Sequence, residues 1–223
     1  MTDEVRKLML SVGWDCNPRE VTALLKRGID VNSRDSEGRT ALMVAALASD
    51  ATMVQLLLDF RPNVNAKAKN QATALHIAAF IGSVDVVRLL IQAGADVSAV
   101  DNAGMTAIMG AAKAGHIEIL RLLSANGADP NAMDANGLTP LIWGTLSDSS
   151  EVINVLIEFG SRLDHQTNEG ETALMYAATM GHVEAAKALL SHGADAEIRN
   201  NRGQTAADLA IAYANPEIAS LLP

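Results

Sequence analysis

The sequence predicts an all-α solenoid: short helix-turn-helix units of one length, stacked side by side and joined by turn tips. Three observations carry this reading. A threonine recurs every 33 residues, at Thr40, Thr73, Thr106, Thr139, Thr172 and Thr205, with no insertion or deletion between them. A small apolar run follows it, as in "LMVAA" (42–46), "LHIAA" (75–79), "IMGAA" (108–112) and "LMYAA" (174–178). A second apolar stripe at helical spacing comes next, as in "VVRLL" (86–90), "EILRLL" (118–123) and "AAKALL" (185–190). A strict period of this length marks a solenoid, because each unit is too small to bury its apolar face except against a neighbour.

The elements of one unit follow from local chemistry. Two residues before the threonine stand Gly38, Gln71, Gly104, Gly137, Gly170 and Gly203, suited to a tight turn at positive φ. Nine residues after it, Ser49, Gly82, Gly115, Asp148, Gly181 and Ala214 are placed to end a first helix, and Cys16 holds that place in the opening unit. The next residue is Asp50, Ser83, His116, Ser149, His182 or Asn215, mostly types that cap the free N–H groups of a second helix. "NPRE" (17–20) makes the same start, with Asn17 as cap and Glu20 positioned for a capping box. Gly28, Gly94, Gly127, Gly160 and Gly193 close the second helices, with Arg61 the exception. Arg61, Gln71 and Asp148 therefore stand where glycine is expected. A left-handed backbone at each costs on the order of 1 kcal/mol.

These motifs resemble the ankyrin repeat. The nearest stretch is "ATALHIAAFIGSVDVVRLLIQAGADVSA" (72–99), supported by "GLTPL" (137–141) and "AGHIEILRLLSANGADPNA" (114–132). The resemblance spans essentially the whole chain as seven helix pairs. It implies a single domain over 1–223, with an N-terminal capping repeat at 1–34, five internal repeats at 35–199 and a C-terminal capping repeat at 200–223. It also implies an elongated, curved stack, concave on the side of the turn tips and first helices. His76, in "TALH", is expected to tie turns together by hydrogen bonds. Asparaginyl hydroxylation in this family targets positions matched by Asn32, Asn65 and Asn131, in a eukaryotic setting.

Composition narrows the function. Aromatics make up only 3%, as closely packed helix pairs require. No run of 18 apolar residues offers a transmembrane helix, and "MTDEVRKLML" has no apolar segment of signal-peptide length. A lone cysteine, Cys16, precludes an internal disulfide and fits a reducing compartment, so a cytoplasmic monomer is expected, with nuclear or exported destinations also compatible. The net charge of −9 opposes nucleic acid as main partner. That charge is uneven: residues 1–111 hold 11 Lys+Arg against 12 Asp+Glu, and residues 112–223 hold 6 against 14.

Catalytic chemistry finds little footing. In "DNAGMTAIMGAAKAGH" (101–116), Gly104, Gly110 and Gly115 are too dispersed to cradle phosphate, and Lys113 precedes alanine rather than serine or threonine. His116 and His182 begin second helices two repeats apart, roughly 20 Å, too far for shared metal ligation. His165 lies in a turn and His192 precedes a helix-ending glycine. No enzyme activity, cofactor or metal is expected.

What remains is recognition of a protein partner. The positions that the repeat leaves free lie just before the threonine and seven or eight residues after it. There stand Arg39, Met105 and Leu138, then Phe80, Lys113 and Leu146, then Ile81 and Met180. Met105, Leu138, Phe80, Ile81 and Leu146, flanked by Lys69 and Lys113, are expected to form an apolar binding strip across repeats three to five. Trp143 and Tyr176, four residues past their threonines, are expected to pack against the next repeat, Trp143 in the core. Two functions fit such a module: a stoichiometric regulator that masks one partner, or an adaptor joining two proteins.

Overall fold

A computed structural model describes residues 2–222. Among these residues there are fourteen helices and no β-strand. They alternate as first and second helices of seven pairs. The first helices are α1 (Asp3–Gly13), α3 (Ala41–Leu47), α5 (Ala74–Ile81), α7 (Ala107–Ala114), α9 (Pro140–Thr145), α11 (Ala173–Met180) and α13 (Ala206–Ala212). The second helices are α2 (Pro18–Lys26), α4 (Ala51–Asp59), α6 (Val84–Gln92), α8 (Ile117–Ala125), α10 (Ser150–Glu158), α12 (Val183–Ser191) and α14 (Pro216–Ala219). The contacts divide the chain into two compact units, one up to Asn102 and one from Ala103.

In the first unit, α1, α3 and α5 pack in sequence, as do α2, α4 and α6. Leu8, Leu24, Leu42, Met43, Leu57 and Leu90 are fully buried there. In the second unit α7, α9, α11 and α13 form one row and α8, α10, α12 and α14 the other, around Ile108, Met109, Ile119 and Leu120. Each such side chain contributes about 1.5–3 kcal/mol on burial.

The threonine of each period opens a first helix. Thr172 Oγ1 accepts from Met175 N–H at 3.3 Å and Thr205 Oγ1 from Asp208 N–H at 3.2 Å, while Thr73 Oγ1 pairs with His76 Nδ1 at 2.9 Å. The expected left-handed turns are present: φ is 43° at Cys16, 53° at Arg61, 62° at Gln71 and 45° at Asp148.

The tips are hairpins tied to one another by a backbone ladder. Asp35 N donates to Arg39 O at 2.9 Å within a tip, and Lys69 N donates to Glu37 O of the preceding tip at 3.1 Å. The second unit repeats this with Ala135 N to Ala103 O at 2.9 Å, Asn168 N to Asn136 O at 3.1 Å and Asn201 N to Glu169 O at 3.0 Å. This ladder explains the turn glycine twice over. At Gly104 φ is +76°, and an added Cβ would meet Ala135 N at 2.8 Å, so the next tip approaches too closely for a side chain.

Some local expectations change. Ser83 and Asn215 do not cap their own helices. The Ser83 hydroxyl donates to the Ser49 hydroxyl, and Asn215 Nδ2 donates to Ala178 O at 2.7 Å, so both brace the end of the preceding first helix. Asp148 works in the opposite direction, its Oδ1 accepting from Glu184 N at 3.1 Å and Ala185 N at 3.2 Å at the start of α12. Asn17 does cap α2 through Glu20 N at 3.2 Å, but the Glu20 carboxylate turns to Lys7 Nζ at 2.6 Å instead of completing a capping box.

Candidate interaction surface

Helical geometry separates the faces of a first helix. At 3.6 residues per turn, positions four, seven and eight past the threonine fall within an arc of about 100°, opposite positions two, three, five and six. The latter are the buried set: Leu42, Met43, Ala45 and Ala46 in α3, and Leu174, Met175, Ala177 and Ala178 in α11. The former make up the available face.

In the first unit that face carries large apolar groups. Leu47 and Phe80 stand 33 residues apart at the ends of α3 and α5, and Trp14 stands a further 33 residues back, just past α1. All three are exposed, Trp14 by 86% and Phe80 by 52%, and Ile81 beside Phe80 is exposed as well. Trp14 escaped the sequence reading because its unit has Lys7 where the register threonine would be. Its 33-residue step from Leu47 was the available signal.

The basic residues of this unit are partly committed to the tips. Arg39 Nε pairs with Asp35 Oδ2 at 2.8 Å. Burial pushes the Asp35 carboxyl up, but the hydrogen bonds and charge of Arg39, with the Glu37 N–H, outweigh it and hold its pKa below the ordinary value. Arg34 donates to the carbonyls of Gly38 and Lys67, and Lys67 Nζ to Val100 O at 3.4 Å. Lys69 is exposed and lines, with Arg39, Glu37 and Ile77, a groove of about 310 Å³.

In the second unit the expected strip loses a member. Leu138 is buried, with 8% exposure, whereas Met105 and Leu146 are half-buried and Met180 is 53% exposed. The physical reason is the hairpin register: Asp134 N donates to Leu138 O at 3.0 Å and Leu138 N to Asp134 Oδ1 at 2.9 Å. The residue before the threonine thus lies on the returning arm of the tip, and none of its six occupants is exposed. Phe80 and Ile81 belong to the first unit, and Met105, Leu138 and Leu146 to the second.

Trp143 and Tyr176 are not core residues. Both are half-buried on the available face. Lys113 Nζ sits 4.6 Å from the centroid of the Trp143 ring, whose Nε1 donates to Asp134 Oδ2 at 3.2 Å. Tyr176 lines a cleft of about 460 Å³ with Glu171, Met180, Arg202, Gln204 and Tyr213. Burial, and then the charge and hydrogen bond of Glu171, push the Tyr176 phenol up to about 12.

The histidines serve the architecture. His165 Nε2 meets Gly137 O at 2.9 Å, His182 Nδ1 meets Thr145 O at 2.7 Å, and His192 Nε2 meets Asn154 Oδ1 at 2.8 Å. Among the described residues no cluster of three His, Cys, Asp or Glu could hold a metal ion, and no helix is long and apolar enough to cross a membrane. The asparagines matched to hydroxylation are latches. Asn32 Oδ1 accepts from Asn63 N at 2.7 Å, Asn65 Oδ1 from Asp96 N at 2.8 Å and Asn131 Oδ1 from Arg162 N at 2.7 Å, each one repeat ahead.

Comparison with known proteins agrees with this architecture. A family model described as ankyrin repeats matches in three copies, at residues 8–101, 97–167 and 145–223. The crystal structure of the ankyrin repeat domain of Bcl-3, described as a unique member of the IkappaB protein family, matches with a TM-score of 0.79 at 24% identity, over 96% of each chain. At that identity the likeness shows a shared fold.

Proposed function

The chain belongs to the ankyrin-repeat family, and from that premise we propose that it is a protein-interaction module holding its partner on the first-helix face and acting as a stoichiometric regulator of it. The observation that supports this reading is the row formed by Trp14, Leu47, Phe80 and Ile81. These side chains stand exposed along one face of successive helices, where the repeat itself needs no apolar residue. Fully burying a residue of this kind contributes about 1.5–3 kcal/mol, and tryptophan is among the residue types in which hot spots are enriched. Lys69 adds a polar contact in the same unit, and Met180 and Lys113 are candidate contacts of the second unit by itself. We place the protein in the cytoplasm as a monomer with 1–223 as one domain, a placement supported by its lone, exposed Cys16 and its acidic charge of −9.

The test is Trp14→Glu combined with Phe80→Glu. The double variant should unfold within about 1 kcal/mol of the parent, as surface substitutions do, and should lose its native partner in a quantitative pull-down. Undiminished partner binding by the folded variant overturns the assignment of this row. Regulation is read from the partner's activity, which should fall to a floor at equimolar addition. A ternary complex with two proteins whose activities are unchanged identifies an adaptor instead.

A further inference from the structure

Resting on the reading of the first-helix face as the binding surface, we propose that the cleft between α11 and α13 receives a basic side chain, arginine or lysine, from an extended segment of the partner. Both tyrosines of the chain line this one cleft: Tyr176, half-buried, from the middle of α11, and Tyr213, exposed, just past α13. Tyrosine rings carry the quadrupole that attracts a guanidinium or an ammonium group. The carboxylate of Glu171 lines the same space, and its charge acts on the Tyr176 phenol. A carboxylate offers about four lone-pair sites, enough for the forked donors of an arginine. Met180 and Leu209 supply apolar wall for the alkyl stem that arginine and lysine carry behind their charge. At about 460 Å³ the cleft lies within the range of ordinary ligand sites.

The surrounding charge has the matching sign. Residues 103–223 hold 6 Lys+Arg against 14 Asp+Glu, a net of −8, and Glu169 and Asp134 add their fields to that of Glu171 at the Tyr176 ring. Burial and the charge of Glu171 push the Tyr176 phenol up to about 12, so it brings no charge of its own to the cleft. Arg202 is the one opposing charge in the lining. The combination is also particular to this repeat. The residues one before and four after the threonine are Arg39 and Val44, Ala72 and Ile77, Met105 and Gly110, Leu138 and Trp143, Glu171 and Tyr176, and Gln204 and Leu209. Only the fifth pair joins an acid to an aromatic ring.

The experiment titrates the full chain, nitrogen-15 labelled, with the acetylated, amidated peptide Gly-Ser-Arg-Ser-Gly and its counterparts with lysine, citrulline or glutamate at the centre. The arginine and lysine peptides should shift the amide signals of Glu171, Tyr176 and Tyr213 saturably. Citrulline, which keeps the shape of arginine without its charge, should bind about tenfold more weakly, as should arginine to Glu171→Gln, with the thermal midpoint of that variant unchanged. Equal binding of citrulline, preference for the glutamate peptide, or no shift at about 10 mM arginine peptide each overturns the proposal, and the second would assign the cleft to anions through Arg202. The two readings fail separately. A partner lost on Trp14→Glu with Phe80→Glu, yet indifferent to Glu171→Gln, leaves the first-helix face standing and removes the basic side chain from this cleft.

Discussion

Gln71 holds φ at 62° where its five counterparts are glycines between 75° and 80°. Its cost depends on more than backbone strain, because the neighbouring tip crowds this position: a Cβ at Gly104 or Gly170 would lie 2.8 Å from a backbone nitrogen or closer still to a side chain. Arg61 is different. It shares the strain, with φ at 53°, but its counterparts Gly28, Gly94, Gly127, Gly160 and Gly193 have nothing within 4 Å of an added Cβ. Gln71→Gly should therefore raise stability by about 1 kcal/mol and Arg61→Gly by less, since glycine also loosens the unfolded chain. Urea unfolding of both variants checks this, and a lower midpoint for Gln71→Gly would mean that its tip has rearranged around the glutamine. Such positions were legible in the sequence because a left-handed turn is a local demand. Ser83, Asn215 and Glu20 were not. Each has the right residue type for a cap at its own helix, and each pairs instead with a residue outside that helix, which a linear reading of caps does not weigh.

The helices were legible as elements because their apolar spacing and their caps agree at every repeat, so that both rows of each unit follow from the 33-residue period. The tips were less so. Their ladder of backbone bonds consists of groups that every residue carries, and no side-chain pattern announces which residue turns inward. Leu138 shows the consequence: the register marks it as free, but the returning arm of its hairpin buries it, and the candidate strip breaks there. Trp143 errs the other way: its place four residues past the threonine suggested core packing, while on the helix wheel that position falls on the available face. The two kinds of site should separate cleanly on substitution. Leu138→Glu places a carboxylate in a buried apolar position and should cost several kcal/mol, about 2–4. Met180→Glu, at a position 53% exposed, should stay within about 1 kcal/mol of the parent. Chemical denaturation of the two variants decides it, and equal stability would return Leu138 to the surface.

Across the whole molecule the two units differ in charge and in the groups that couple them to pH. Residues 1–102 carry 11 Lys+Arg against 12 Asp+Glu, and residues 103–223 carry 6 against 14. In the first unit, Asp35 is held below its ordinary value of 3.8 by Arg39. A depressed carboxylate adds stability that is complete above the unfolded value and vanishes as pH falls through the folded one, so acid weakens this tip. Protonating carboxylates in the second unit has an added effect of the opposite sign, because it relieves the mutual repulsion of a net −8. At the alkaline end the roles change. Tyr176 is raised from 10.0 to about 12 by its burial and by Glu171, so its contribution is complete below pH 10.0 and is lost as pH rises through about 12. Hydrogen exchange read by mass spectrometry should accordingly show, after correction for the intrinsic exchange rate, protection falling at residues 34–40 as the solution is acidified below the ordinary carboxylate range, and falling at residues 171–180 as it is made alkaline. Glu171→Gln removes the carboxylate that helps to hold the phenol protonated, so its spectroscopic titration should move back towards 10.0 and the alkaline loss at residues 171–180 should shrink, because the gap between the folded and unfolded values closes. Simultaneous loss in both units at either end would show that the charge difference is overridden by a single cooperative transition.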